Sequence, residues 1–475
     1  MRRERLVLLG CAFGVFLSAI EGTVVGTVMP TIVAELGGLN RYGWVFSVYM
    51  MPAAVTMPIW GKLSDIYGPR RLLHIGILLF LTGSVLSGFA PTFDHLIAFR
   101  LIQGLGAGAM FSIPLTILGH AFPPERRGHA LGIASSVWGF SAIVGPPVGA
   151  LVVSLASWRW AFWLSVPFGL AAMALVQRGF EEPEARPEHR LDIAGAALLM
   201  LGIVSILLAA QSGKDADAIV GLAWPHWAAL ALVVLAFFAY VETRVKEPVV
   251  PVPLLREPLY RVANGTMFLM AFTVFSAIAY VPLLVQRGDP GNVLRAGLSL
   301  IPLSIGWTAG SMTGGRLVAK IGGRTLAMAG AFSSLVGFLL ATRFTPTSAL
   351  SYVAPVMFAI GLGMGANSPA LLVTVQNHIG HGRLGVVTSS IAFWRHMGGT
   401  LGIVLLGVLV PGEQATTAAL TAGVQHVFMV AAALVAIAVL VMVRLPVTIH
   451  ATPTRPHPVA TAAAPIDEDI AASGR

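Results

Sequence analysis

The chain has 475 residues, of which 56% are hydrophobic and 11% are charged, and its formal net charge is +9. An ordinary soluble domain has about 25% charged residues, so a soluble chain this poor in charge could not cover its surface with polar groups. The composition therefore excludes a large soluble enzyme and indicates an integral membrane protein. The basic excess is better explained by membrane topology than by nucleic-acid binding.

Apolar stretches follow one another along the chain, and each is close to the roughly 20 residues that a helix needs to cross a bilayer. These stretches are apolar on every side, whereas the strands of membrane barrels alternate apolar and polar residues. Helices are therefore predicted. The first follows the basic start Met1 to Arg5 and is expected to be a retained helix rather than a cleaved signal peptide. The fourteen predicted spans are 6–32, 43–63, 72–92, 95–118, 128–156, 159–177, 191–211, 222–242, 260–286, 296–318, 324–342, 349–374, 384–410 and 420–444.

The lysines and arginines fall mainly in alternate connecting segments, beginning with Arg2, Arg3 and Arg5. Cytoplasmic loops carry the excess of basic residues in membrane proteins. We therefore expect a multi-pass protein of the cell inner membrane with both termini in the cytoplasm. The predicted outer loops hold only Arg41, Arg159, Lys214, Arg287, Arg295 and Arg343.

An internal repeat divides the chain. The segment Gly61–Arg70 recurs as Gly315–Arg324, and Gly104–Ala109 recurs as Gly361–Ala366. Parallel repeats with a substrate site at their interface suit alternating access, in which two bundles rock about the site. The predicted units are an N-terminal six-helix bundle (1–178), two inserted helices with flanking cytoplasmic loops (179–259), a C-terminal six-helix bundle (260–446) and a disordered cytoplasmic tail (447–475).

The loop between spans two and three contains Gly61, Asp65, Gly68, Arg70 and Arg71. The glycines permit tight turning and close approach, and the Asp65 carboxylate can accept hydrogen bonds from a helix N-terminus or pair with an arginine. Such a contact would hold the cytoplasmic side closed until the bundles separate. Alternatively, the basic residues of this loop only enforce topology.

Ionisable side chains inside spans are costly and mark functional sites by default. At ~1.5 Å per residue, Glu21 lies about 24 Å from the inner end of span one and Arg100 about 9 Å deep from the outside, within about one turn in height. Arg100, with Gln103 one turn further on, would place a positive charge near a carboxyl that takes and releases a proton. Alternatively, Glu21 reaches outer water and Arg100 only organises hydrogen bonds.

Two further spans carry unusual residues. Span five contains Gly145, Pro146, Pro147 and Gly149, which predict a smooth, bent helix at the bundle interface. Arg395 lies near mid-membrane in span thirteen, where it either contacts substrate or anchors the bundle. The adjoining His396 is more simply a structural hydrogen-bonding group than a proton relay.

Together these segments resemble the major facilitator superfamily, specifically its fourteen-helix drug:proton antiporter branch, over about residues 5–445. The similarity covers Gly61–Arg71, Arg100–Gly104, Gly145–Gly149, Trp158–Phe162 with Pro167 and Gly169, and Arg395–Gly399. The resemblance implies proton-coupled export and links Arg100 to proton transfer. The chain departs from the branch in having Glu21 where Asp is usual, Gly26 where Asn is frequent and Pro147 where a small residue is usual.

The expected protein is a monomeric secondary active exporter of lipophilic or cationic drug-like compounds, coupled to protons, without a cofactor, metal or nucleic-acid partner. It has no Walker-type phosphate loop, so an ion gradient rather than ATP should drive it. Five tryptophans are expected to be mostly lipid-facing or interfacial: Trp44, Trp138, Trp163, Trp307 and Trp394. The alternatives are a dedicated exporter of a lipid or metabolite and a non-transporting scaffold or sensor.

Overall fold

The computed structural model describes residues 2–37, 42–182, 192–212, 223–245, 254, 256–288, 293–379, 383–411 and 416–444. The tail predicted to be disordered, 447–475, lies outside these residues, as do most of the polar segments that flank the two inserted helices.

The secondary structure of the described chain is helical. The helices are α1 (Arg2–Leu36), α2 (Tyr42–Tyr67), α3 (Pro69–Gly88), α4 (Phe93–Ala121), α5 (Pro124–Leu155), α6 (Arg159–Trp163), α7 (Ser165–Gly179), α8 (Ile193–Ser212), α9 (Trp224–Glu242), α10 (Pro258–Gly288), α11 (Val293–Leu298), α12 (Ile301–Ile321), α13 (Gly323–Ala341), α14 (Leu350–Ile379), α15 (Leu384–Gly407) and α16 (Thr417–Met442).

Each predicted span corresponds to one helix or to two consecutive helices. Span six is divided into α6 and α7 at Leu164, and span ten into the short α11 and the longer α12. Ten of the helical stretches in the described chain are long and apolar enough to cross a membrane. The prediction of an all-helical membrane fold with two bundles and an inserted pair is confirmed.

The repeated glycines pack in the same way in the two halves of the chain. A Cβ at Gly104 of α4 would lie 2.4 Å from the Tyr49 carbonyl oxygen of α2. A Cβ at Gly361 of α14 would lie 2.0 Å from the Leu303 carbonyl oxygen of α12. Only glycine permits such backbone contact, so the repeat seen in the sequence is also a repeat in helix packing.

The loops that follow α2 and α12 are also equivalent. Gly68 ends α2 with a φ of +91°, and Gly322 ends α12 with a φ of +81°. These values lie in the left-handed region that side chains with a Cβ avoid. Each glycine turns the chain directly into the next helix.

The two halves meet mainly along two pairs of helices, α5 with α12 and α2 with α15. The inserted helices α8 and α9 pack mainly on each other and lie against α2 and α15, at one side of the junction between the halves. The exact boundaries of the two bundles stay a prediction.

Candidate functional site

Glu21 and Arg100 are in direct contact inside the first half of the chain. The Arg100 guanidinium donates through Nη1 to the Glu21 carboxylate. Arg100 is 0% exposed and Glu21 is 3% exposed. Removing two charges from water is expensive, and mutual attraction repays this only in part. A buried pair of this kind is therefore the first candidate for the functional site.

Gln103 extends the pair into a chain of hydrogen bonds. Its Oε1 accepts from Arg100 Nη1 at 2.8 Å, and its Nε2 donates to Ser84 Oγ at 3.2 Å. Ser84 Oγ in turn donates to the Phe162 carbonyl at 2.8 Å and accepts from Ser165 Oγ at 2.9 Å. The network joins α4 to α3 and to the start of α7, which holds the charged pair in one orientation.

Helix α2 completes the surroundings of Arg100, which sequence reasoning did not identify. Arg100 Nε donates to the Val45 carbonyl at 3.2 Å, and the guanidinium lies 4.2 Å from the centre of the Tyr49 ring. Its Nη2 is buried and has no hydrogen-bond partner in the described part of the chain. One strong donor is therefore available beside Glu21.

The second half of the chain has no equivalent charge. Met357 and Ile360 occupy the repeat positions of Arg100 and Gln103, and Ala319 occupies that of Asp65. Met357 is fully buried among apolar residues. The two halves share packing but not chemistry, so the buried ion pair belongs to the first half.

Helix α1 presents an open face directly beside Glu21. A Cβ at Gly22 or Gly26 would meet no atom within 4 Å, and Gly22 is exposed. Both glycines lie within about one and a half turns of Glu21. The backbone next to the carboxyl is therefore accessible.

Asp65 joins the two halves of the molecule. Its Oδ1 accepts from the Gly385 backbone N–H at 2.7 Å, and its Oδ2 accepts from that of Val386 at 2.9 Å. Both donors are in the first turn of α15, where backbone N–H groups lack partners within the helix and the helix dipole favours negative charge. Gly61 lies against Ser389 and the Gly385 carbonyl, so α2 and α15 approach closely here.

Arg70, at the start of α3, contacts the segment that follows α7. Arg70 pairs with Glu182 at 3.0 Å and donates to the Phe180 carbonyl at 3.1 Å. Burial raises the pKa of the Glu182 carboxyl, although Arg70 opposes this shift. Arg71 is exposed. Arg70 therefore fixes the start of α3 against the segment that follows α7.

Two further contacts join the halves close to the same end. Arg127 at the start of α5 is 1% exposed and donates to Asn377 Oδ1 at 2.6 Å. Gln376 of α14 donates to the Leu115 carbonyl of α4 at 3.4 Å. Neither Asn377 nor Gln376 stood out in the sequence, because an amide near a helix end has many ordinary roles. The molecule is closed at the end that contains Asp65.

Helix α5 contacts the second half through residues that precede its Gly-Pro-Pro segment. Cβ atoms at Gly132 and Gly139 would lie 2.5 Å and 2.6 Å from the carbonyl oxygens of Ser311 and Ser304. Gly145 and Gly149 instead lie against Thr23 and Thr27 of α1, and Pro146 and Pro147 are exposed. The contact between halves is thus made nearer the start of α5 than the sequence motif suggested.

Arg395 lies in a cluster of aromatic residues at the junction of the halves. It is 7% exposed, and its guanidinium lies 5.6 Å from the centre of the Trp138 ring. Trp138 is stacked on Trp307 at 6.4 Å, and His396 meets Phe111 edge-on at 4.2 Å. The expectation that Trp307 faces lipid is wrong: it is 5% exposed, because it fills the contact between α5 and α12.

Relatives of the chain are transporters. It is 34% identical over 413 residues to the multidrug transporter protein MdtP of Bacillus subtilis, covering 86% of this chain and 75% of the relative. It is also 34% identical over 410 residues to multidrug resistance protein 3 of the same organism, covering 85% of this chain and 79% of the relative.

Solved structures show the same fold. The crystal structure of the human organic anion transporter MFSD10 (TETRAN) superposes with a TM-score of 0.68 and 16% identity, covering 92% of this chain and 99% of that one. The proton:xylose symporter XylE, bound to 6-bromo-6-deoxy-D-glucose, has a TM-score of 0.65 and 13% identity, covering 93% and 95%. The family model of the Major Facilitator Superfamily matches residues 11–403. The chain belongs to the major facilitator superfamily and is a transporter, not an enzyme.

Proposed function

We propose that the protein is a proton-coupled antiporter of the fourteen-helix drug:proton branch, which exports lipophilic or cationic drug-like compounds by alternating access. The observation that carries the proposal is the buried ion pair between Glu21 and Arg100, held by Gln103. The printed names of the relatives, a multidrug transporter and a multidrug resistance protein, support drug export as the activity.

In this mechanism Glu21 is the group that binds and releases the proton. Protonation removes its charge and weakens its attraction to Arg100, while a cationic substrate would compete with the proton for the carboxylate. The Arg100 guanidinium acts as the counter-ion of this carboxylate. The open space beside Gly22 and Gly26 supports a path to Glu21 along this face of α1.

Asp65 is proposed to stabilise the state in which the cytoplasmic end is closed. Its carboxylate binds the first turn of α15, which belongs to the other half of the molecule. Opening this end breaks both hydrogen bonds, and α5 and α12 then separate along their glycine-lined contact. The assignment of this end to the cytoplasm follows from the basic residues of the connecting segments.

Reconstitution into liposomes tests this function. Purified protein with ethidium as the transported probe should move the dye when a pH gradient is imposed, and collapse of the gradient by a proton ionophore should stop the movement. Movement that is unchanged after the gradient collapses would contradict proton coupling. Failure of a panel of cationic and neutral dyes to move, with the protein correctly folded, would favour a dedicated exporter of a lipid or metabolite.

A further inference from the structure

A cavity of about 270 Å³ lies between the inserted helices and the junction of the two halves. On the side of the inserted pair it is lined by Leu199 and Ile203 of α8 and by Leu235 and Phe238 of α9. On the opposite side α2, α10 and α15 contribute further residues, among them Phe268, Trp394 and Met397. The cavity is separate from the Glu21–Arg100 pair.

The chemistry of the cavity favours hydrocarbon over water. A buried water needs two to four polar partners, and apolar cavities of ~150 Å³ stay dry and bind small aromatic molecules. This cavity is larger, and most of its lining is aliphatic or aromatic. Such a lining is complementary to a hydrocarbon occupant.

The shape and the few polar groups indicate an amphiphile. Val386 and Leu401 of α15 both line the cavity, and they are separated by about 22 Å of helix at ~1.5 Å per residue, the length of an extended alkyl chain. Hydroxyl groups come from Tyr260, Ser389 and Ser390. All three lie near the starts of α10 and α15, so the polar groups are collected at one end.

The same end of the cavity adjoins the contact made by Asp65. Val386 donates its backbone N–H to Asp65, and Ser389 lies against Gly61. An occupant would therefore rest on the turns of α15 that join the two halves. On its outer side α9 exposes Leu232, Val233 and Phe237, as expected of a helix that faces lipid, so the bilayer is one helix away.

We propose that this cavity binds the alkyl chain of an amphiphile, with the polar group directed toward Tyr260, Ser389 and Ser390. The inserted helices then form the outer wall of a hydrocarbon site beside the α2–α15 contact. The site is independent of the proposed export activity, since it requires neither a proton gradient nor a drug. A phospholipid acyl chain and a free long-chain amphiphile share this chemistry.

Photolabelling of the full chain in lipid nanodiscs tests the proposal. Two probes carry a diazirine in the middle of a sixteen-carbon chain: a phosphatidylcholine and hexadecanol. We expect cross-links on α15 between Phe393 and Leu401 and on α8 near Ile203. Labelling by the phospholipid identifies membrane lipid as the source of the chain, and labelling by hexadecanol identifies a free amphiphile.

Ile203→Trp fills the cavity and should reduce labelling of α15 at least tenfold, whereas Leu232→Trp, on the lipid-facing side of α9, should leave it unchanged. Thermal unfolding in the nanodisc verifies that each variant is folded. If Ile203→Trp does not fold, Leu199→Phe fills the cavity with a smaller change in volume. Equal labelling of α15 in the filled variant and the wild type would overturn the proposal. So would labelling confined to the outer face of α9.

Discussion

The Glu21 carboxyl is the residue on which the proposed coupling depends. Glu21→Gln keeps the side-chain size and can still accept a hydrogen bond from Arg100, but it cannot release a proton in the physiological range. We expect export driven by a pH gradient to fall to the level of empty liposomes, while exchange of dye down its own gradient persists. Dye fluorescence in proteoliposomes measures both.

Glu35 provides the matched control for Glu21, because it is an exposed carboxyl further along α1. Glu35→Gln should leave gradient-driven export unchanged. Undiminished proton-driven export by Glu21→Gln would remove Glu21 from the coupling role. Loss of dye exchange as well as gradient-driven export would instead indicate that the substitution damages the binding site or the fold.

Glu35 also has a predictable effect on stability. Its Oε1 accepts from Arg159 at 2.8 Å and its Oε2 from Trp158 at 2.7 Å, and these hydrogen bonds lower the pKa of the carboxyl. A lowered pKa means that the stabilisation is complete above the unfolded-state value of about 4.3 and is lost as pH falls through the folded-state value. Glu35→Gln should lower the unfolding temperature at pH 7, and the difference should vanish in stronger acid. A difference that grows as pH falls would contradict this assignment.

At the scale of helices, Asp65 of α2 accepts two hydrogen bonds from the first turn of α15. Asp65→Asn keeps one acceptor but loses the charge, which should weaken the closed state by about 1–2 kcal/mol. Ser64 is buried beside this contact, so a Ser64→Cys substitution in a Cys11→Ala background reports its opening. This cysteine should react faster with a thiol reagent when Asp65→Asn is present than when Asp65 is intact. Asp94→Asn, an exposed carboxyl at the first turn of α4, is the control. An unchanged labelling rate in Asp65→Asn would show that this carboxylate does not hold the end closed.

The contact between α5 and α12 depends instead on the absence of side chains. A Cβ at Gly132 would lie 2.5 Å from the Ser311 carbonyl oxygen and 2.9 Å from Gly315 Cα, both backbone atoms that cannot easily move. Gly132→Ala should therefore destabilise the protein by about 1–3 kcal/mol through overpacking. Gly26→Ala, where a methyl group meets no atom within 4 Å, should be tolerated. Thermal unfolding measures the stability of both variants. If Gly132→Ala is as stable as Gly26→Ala, the contact between α5 and α12 can accommodate a methyl group and the assignment is wrong.

Sequence reasoning was most successful for features that a single helix determines, and least successful for contacts between distant helices. The existence of the spans follows from apolar length, and the breaks at Leu164 and before α12 were missed because they leave the apolar character unchanged. The partners of Asp65 could not be identified, since the nearest is 320 residues away in the chain. Burial of Trp307 was missed for the same reason, because a tryptophan facing a helix and one facing lipid look alike in sequence.

For the whole molecule, the proposed mechanism rests on an asymmetry between its two ends. Contacts between the halves converge near Asp65 and Arg127, whereas the backbone of α1 near Glu21 is open. The two halves of the chain also differ in charge, because Arg100 and Asp65 of the first half are replaced by Met357 and Ala319 in the second. Alternating access predicts that the closed end must open once in every transport cycle.

A covalent link across the closed end tests that requirement. A Cβ at Gly119 of α4 would lie 3.2 Å from Gln376 Cδ of α14, and the neighbouring atoms belong to that flexible side chain rather than to backbone. In a Cys11→Ala background, Gly119→Cys with Gln376→Cys should be joined by a short bifunctional thiol reagent. Transport should then fall to background and return when a cleavable link is reduced, while each single variant treated identically keeps its activity. Full transport by the linked protein would mean that the halves do not part at this end, and substrate would have to enter by a route that keeps α4 and α14 together.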